Sequence, residues 1–215
     1  MALVVFDLDG TISRHDTLFA YLLGFLRRNR RRWPRMLLSL PAVLGFACGV
    51  VNRGQLKAAA MKAALGGCTR TVINAWTARY VTELLARGVF ADALTAIVKH
   101  RRSADVLVLM SASPDLYVPE IAQRLGFAET ICTGVRWRGE RLDGELATAN
   151  RRGAEKARCF AALRARYPQT PTVAYANSAS DFEHLQLADE AYLVNPSAAL
   201  RREAERAHFR CVIWR

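Results

Sequence analysis

The sequence has no apolar run long enough to cross a bilayer as a helix. The uncharged stretch Met36 to Val51 has sixteen residues, against the ~20 that a spanning helix needs. Pro41, Gly45 and Gly49 weaken it further. A Cys-x-x-Cys pair is also missing. The five cysteines (Cys48, Cys68, Cys132, Cys159 and Cys211) are scattered and odd in number, which argues against a zinc site or disulfide framework and for a reducing compartment. No internal repeat, low-complexity tract or long linker breaks the chain. Acidic residues are scarce: 19 Asp and Glu face 31 Lys and Arg, a net charge of +12. That surplus suits an anionic partner such as nucleic acid, a phosphorylated substrate or an acidic membrane face, or it is a merely basic surface. Aromatics for base stacking are not interleaved with the arginine cluster, so no nucleic-acid partner is expected. The amino terminus enters a strand almost at once, leaving no room for a secretion signal, and a cytoplasmic location is expected.

What is present begins with Val4-Val5-Phe6-Asp7-Leu8-Asp9-Gly10-Thr11. The apolar, partly β-branched run reads as a buried strand. Alternation would point Asp7 and Asp9 to one side if extended geometry persists through Leu8. Open parallel sheets bind ligands at the carboxyl ends of their strands. Two hard oxygen ligands there suit Mg2+ facing a phosphate. At ordinary residue frequencies Asp-x-Asp-Gly-Thr arises by accident in roughly one such chain in several hundred.

Helical character dominates from about Asp16 to Gly88. Asp16-Thr17 can cap a helix through Leu22, Phe25 and Leu26. Gln55 to Leu65 is rich in helix formers and stops at Gly66-Gly67, and Thr71 to Arg87 carries apolar residues near a 3.6-residue period. From Asp105 onward strand-like and helix-like segments alternate: Val106–Met110, Val118–Leu125, Glu155–Arg166, Val173–Tyr175, Phe182–Ala188 and Tyr192–Val194. That alternation predicts βαβ units and a parallel sheet. A hairpin is expected between Ile131–Trp137 and Leu142–Leu146, turning at Arg138-Gly139-Glu140-Arg141. The expected fold class is α/β: a doubly wound, Rossmann-like core of residues 1–14 and 89–215, with a helical cap, residues 15–88, inserted after the first strand.

The first octapeptide resembles the opening motif of the haloacid dehalogenase (HAD) superfamily of phosphohydrolases. Three further stretches are similar to its later motifs, in the right order: the strand Asp105–Met110 ending at Ser111-Ala112-Ser113, then Gly153-Ala154-Glu155-Lys156, then Thr172 to Asp181. Taken alone, Ser111 reads equally as a helix cap, and Lys156 reads first as a solvated helix residue; their order after the first motif reverses both and favours the site. The helical insert resembles the phosphoserine-phosphatase-like subclass. The layout, with Gly67-Cys68-Thr69 ending the cap helix, resembles C-type phosphatidylglycerophosphate phosphatases.

The resemblance implies Mg2+-dependent hydrolysis of a phosphomonoester through an aspartyl-phosphate. Asp7 would be the nucleophile, because attack by a carboxylate splits one hard displacement into two easier ones. Asp9 would serve as general acid and then base, its main-chain carbonyl also meeting the metal. Ser111 and the Ala112 amide would bind phosphoryl oxygens, and Lys156 would bridge Asp7 and the phosphate. Thr11 and Asp16 are expected at the substrate. The metal set would be Asp7, Asp9, Asn177 and Asp181. Asn177 departs from the family, which has Asp there: a neutral amide oxygen can coordinate Mg2+, but one negative charge is lost. A weaker metal site, an engineered substitution and decayed catalysis are the readings left open; retention of the other five residues argues against complete decay.

For substrate, amino-acid-specific relatives carry a Glu near Asp16 and a cap Arg for the substrate carboxylate. Here Asp16 is shorter and the segment 53–66 offers Lys57 and Lys62 instead. The cluster Arg27-Arg28-Asn29-Arg30-Arg31-Arg32-Trp33-Pro34-Arg35, followed by Met36–Val51, suits an interfacial segment at an anionic membrane, or a buried cap helix with a solvated arginine face. The expected substrate is a phospholipid headgroup such as phosphatidylglycerophosphate, met at the cytoplasmic face of the inner membrane. The alternatives are a soluble metabolite such as phosphoserine or histidinol phosphate, or a non-catalytic anion-binding protein.

Overall fold

The computed structural model describes residues 1–215. Its strands are β1 (Leu3–Phe6), β2 (Val106–Pro114), β3 (Glu129–Thr133), β4 (Val135–Arg138), β5 (Arg141–Leu146), β6 (Thr172–Ala176), β7 (Glu190–Val194) and β8 (Arg210–Val212). Its helices are α1 (Thr17–Arg28), α2 (Leu40–Ala47), α3 (Arg53–Leu65), α4 (Arg70–Arg87), α5 (Ala91–Arg102), α6 (Val118–Leu125), α7 (Ala154–Arg166), α8 (Phe182–Leu185) and α9 (Ala198–Arg206). Two 3-10 segments, Arg30–Ser39 and Ala179–Asp181, complete the set.

Six strands form one sheet in the order β3-β2-β1-β6-β7-β8, with every pair parallel. The order reverses between β1 and β6, which makes the mouth beside β1 the topological switch point. The period-2 alternation of a strand sorts the core into two layers. Leu3 and Val5, Val108 and Met110, and Ala174 and Ala176 belong to one apolar cluster. Val4 and Phe6, Leu107 and Leu109, and Val173 and Tyr175 lie in or against the other. Helices cover both faces, so the class is the doubly wound α/β fold.

The chain leaves this sheet and returns to it at one place. Ser13 and Val89 pair as an antiparallel bridge, Arg14 N–H donates to the Gly88 carbonyl (2.8 Å) and Phe90 N–H donates to the Ile12 carbonyl (3.0 Å). Between these points lie α1 to α4. Asp16 caps α1 by accepting from Phe19 N–H (2.8 Å), and Asn52 with Gln55 forms a reciprocal capping box on α3.

Three expectations need correction. Residues Ile131–Thr133 are in the main sheet as part of β3, so the hairpin starts only at Val135; it does turn at Gly139, with φ +55°. Its strands are bonded to the end of α3: Gly67 N–H donates to the Leu142 carbonyl (2.8 Å) and Leu142 N–H to the Cys68 carbonyl (2.9 Å). Phe182–Ala188 shrinks to the short α8 behind a 3-10 turn. The segment 36–51 is not a buried helix. None of α2 is buried, and Leu37, Leu38, Leu44 and Val50 are each at least 65% exposed. No helix is long and apolar enough to cross a membrane.

Candidate active site

β1 ends at Phe6, and the chain then turns sharply: the Leu8 carbonyl accepts from the amides of Thr11, Ile12 and Ser13. The extended geometry therefore does not persist through Leu8. Asp7 and Asp9 still line one cleft of about 350 Å³ with Gly10, Ala112, Lys156, Asn177 and Asp181. Their carboxylates reach different partners within it.

Asp7 is 6% exposed. Its Oδ1 accepts from Lys156 Nζ (2.6 Å) and its Oδ2 from Thr11 Oγ1 (3.2 Å). Lys156, on α7, donates also to Asp181 Oδ1 (2.8 Å), whose other oxygen accepts from Ser178 Oγ (2.6 Å). Burial raises the Asp7 carboxyl to about 7, although Lys156 opposes the rise. Asp181 is held below the usual carboxylate range, because Lys156 and His184 outweigh its burial. Its two carboxylate partners raise the Lys156 ammonium despite burial. One ammonium thus serves two buried carboxylates.

Asp9 points the other way. Its Oδ1 accepts from both Thr17 N–H and Thr17 Oγ1 (2.6 Å each), and its Oδ2 from Ser113 Oγ (2.6 Å). The carboxylate sits on the first residue of α1, where helix dipole and free N–H groups favour an anion. Burial opposes them and raises its pKa overall. Thr17 is itself fixed by Tyr117 (3.0 Å) and, through its carbonyl, by Tyr80 (2.8 Å).

Ser111, fully buried at the end of the β2 run, accepts from Ser113 N–H (3.0 Å). Its own hydrogen has no protein acceptor among the hydrogen bonds. Ala112 lines the cleft. Thr11 does not: fully buried, it orients Asp7 and is not at the substrate surface, which corrects that expectation. Asp16 lines the cleft while one of its oxygens caps α1. Asn177 packs its amide against Gly10, whose φ of +75° suits glycine. A methyl there would meet both the left-handed backbone and the Asn177 amide. Gly10→Ala is therefore expected to cost about 1–2 kcal/mol of stability and to displace Asn177. Urea unfolding together with a magnesium titration of activity checks it.

No group of three or more His, Cys, Asp and Glu side chains converges as a metal cage. Both carboxylate oxygens of Asp9 are taken by Thr17 and Ser113, and Asp181 is engaged by Lys156 and Ser178. Asp7, Asp9 and Asn177, which line the cleft together, nevertheless carry hard oxygen donors. Oxygen donors of this kind are what Mg2+ takes, so these residues fit Mg2+.

Sequence reasoning missed Thr17 and Ser113 as the partners of Asp9. Ser113 carried a signal, the i, i+2 alternation with Ser111 along β2; Thr17 had none.

The cleft thus lies at the carboxyl end of β1, at the switch point of a doubly wound α/β sheet. A family model described as haloacid dehalogenase-like hydrolase matches residues 4–186. Protein CicA of Caulobacter vibrioides is 34% identical over 195 residues, covering 87% of this chain and 83% of that one. A probable phosphatase of Mycobacterium tuberculosis is 28% identical over 209 residues, covering 93% and 70%. Among solved structures, a Bordetella pertussis protein of unknown function superposes with a TM-score of 0.81 at 20% identity, covering 98% and 97%. A phospho-aspartyl intermediate analogue of a phosphoserine phosphatase superposes with a TM-score of 0.68 at 15% identity, covering 98% and 92%. The chain belongs to the haloacid dehalogenase-like hydrolase family.

Proposed function

We propose that this chain is a Mg2+-dependent phosphomonoesterase working through a phosphorylated Asp7. The observation that carries the reading is the buried Asp7–Lys156–Asp181 ion cluster facing a separately held Asp9 across one cleft. Asp7 attacks phosphorus as its ester bond to the leaving oxygen breaks. Asp9 gives a proton to the leaving oxygen. It then takes one from the water that hydrolyses the acyl-phosphate. The Ser111 hydroxyl, the Ala112 amide and Lys156 bind phosphoryl oxygens. Mg2+, held by Asp7, the Asp9 carbonyl and Asn177, would supply charge neutralisation between the two anions. Residues 15–88 would act as the cap that closes the cleft, together with the hairpin β4–β5 bonded to it. Phosphate release from p-nitrophenyl phosphate with and without Mg2+ tests the reading, and no release under either condition contradicts it.

Because Asn177 is neutral, Asn177→Asp is expected to lower the half-saturating Mg2+ concentration about tenfold, or ~1.4 kcal/mol. A titration of activity checks this, and an unchanged value would remove Asn177 from the metal.

For substrate, exposure of 36–51 beside arginines favours a phospholipid headgroup at an anionic bilayer. Arg27, Arg28, Arg30 and Arg31 are exposed. Arg32 is not free for lipid, since its guanidinium donates to the carbonyls of Ala64 and Gly66 at the end of α3 (3.2 Å each). Arg30→Gln with Arg31→Gln is expected to cost about 2 kcal/mol of affinity for anionic vesicles. Binding should weaken steeply with salt. Co-sedimentation with anionic and neutral vesicles measures both, and equal binding to the two vesicle types would defeat the electrostatic account.

A further inference from the structure

A single cation from α3 reaches into the catalytic turn. Lys57 Nζ donates to the Ala112 carbonyl and to Asn150 Oδ1 (2.7 Å). The same carbonyl accepts from Thr133 Oγ1 (2.7 Å). The amide of that peptide, Ser113 N–H, donates to Ser111 Oγ, while the Ser113 hydroxyl holds Asp9 Oδ2. One peptide plane therefore sets the orientation of both Ser111 and the partner of Asp9. Its amide end is fixed by β2 itself. Its carbonyl end is gripped by Thr133 from β3 and by Lys57 from the helical insert.

Lysine is a costly choice for this contact. Lys57 is half-buried and makes none of the ion pairs of the protein; its two acceptors are neutral. Burial lowers its ammonium to about 8, although Asp9 and Asp16 at the cleft partly offset this and Arg152 adds to it. A partly desolvated cation without a counter-ion is retained against a free-energy cost. A side chain that only filled space would not need the charge.

We propose that Lys57 is a positioning residue that clasps the helical insert to the Ala112–Ser113 peptide, so that the phosphoryl-binding turn is set in its reactive orientation only when the insert is seated. This rests on the phosphatase reading above. In that state Ser111 keeps its hydrogen for a phosphoryl oxygen and Ser113 keeps Asp9 aimed at the leaving group. With the insert lifted, the carbonyl loses a charge-assisted donor and Thr133 alone holds it.

Lys57→Met and Lys57→Arg, assayed on p-nitrophenyl phosphate, test the clasp. Lys57→Met should lower kcat by about 10- to 100-fold with KM within about threefold, since misplacement rather than lost binding is at issue. Lys57→Arg should recover most of kcat. It should also move upward any alkaline limb that the parent shows above pH 8, because a guanidinium does not deprotonate there. The other ionisable groups facing Lys57 are the carboxylates of Asp9 and Asp16 and the guanidinium groups of Arg53 and Arg152. Thr133→Val should lower kcat less, and combining it with Lys57→Met should cost less than the sum. A Lys57→Met enzyme with kcat within about twofold of the parent overturns the proposal. So does a change in KM alone, which would make Lys57 a substrate reader in the adjoining pocket of about 330 Å³ that it also lines. If the methionine variant fails to fold, an alkaline limb unmoved in Lys57→Arg overturns it instead. A parent that hydrolyses no monoester defeats the phosphatase reading and takes the clasp with it, whereas an active parent with an indifferent Lys57 defeats the clasp alone.

Discussion

Asp7→Asn is expected to abolish phosphate release, by at least ~10⁴-fold, while the protein stays folded. The size follows from losing the nucleophile itself: an amide cannot form the acyl-phosphate, and only binding contributions survive. Survival of the fold follows from the surroundings. Lys156 keeps Asp181 as partner, and Thr11 can still donate to an amide oxygen. The stability change has a sign that depends on pH. The Asp7 carboxyl titrates near 7 when folded and near its ordinary 3.8 when unfolded. The folded chain thus binds the proton more tightly, and Asp7 destabilises it progressively as pH rises from about 4 to 7. Without Mg2+, Asp7→Asn should therefore unfold at the same or a higher temperature than the parent at pH 7, with the difference shrinking at pH 5. A parent that is clearly more stable at pH 7 would contradict the site electrostatics.

Lys156→Met is expected to damage stability and activity together. Lys156 is 2% exposed and is the cation between Asp7 and Asp181. Removing one partner of a buried ion cluster typically costs about 3–5 kcal/mol, because charge is left uncompensated. The loss should be largest at neutral pH and should shrink in acid, where Asp7 and Asp181 take up protons. Mg2+ should restore part of it. Urea unfolding at pH 5 and pH 7, with and without Mg2+, separates this from a plain cavity effect, which would be independent of both. Activity should fall at least as far as stability permits, since Asp7 loses the ammonium that orients it.

The parallel sheet was legible because β1, β2 and β6 each carry an unbroken apolar run, and both faces of such strands are covered. The helices α1, α3 and α4 were legible through caps and period. Elsewhere local signals misled. Ile131–Thr133 alternates like a hairpin arm, but pairing with β2 is a long-range event that the local pattern does not encode. Met36–Val51 has the hydropathy of a buried helix, yet Ser39 is its only buried residue. Helices α5 and α9 and strand β8 are rich in charge, and their place is decided by packing against the sheet. At the site, Asp7, Asp9, Ser111, Lys156, Asn177 and Asp181 were legible from motifs because each lies next to a strand or helix end. The orientation of Asp9 was not, since Thr17 and Ser113, separated by 96 positions, decide it together. The same holds for Lys57, whose acceptors Ala112 and Asn150 lie 55 and 93 positions away.

The phosphorylated Asp7 is the centre of the account, and trapping it is the most direct test. The protein would be mixed with a phosphomonoester and Mg2+, quenched in acid within the first turnovers, digested and examined by mass spectrometry. The account predicts a phosphoryl group on the peptide that contains Asp7, removed by hydroxylamine as an acyl-phosphate should be, and absent from Asp7→Asn. Steady phosphate release with that peptide unmodified at every quench time, or with the modification on another residue, would contradict it.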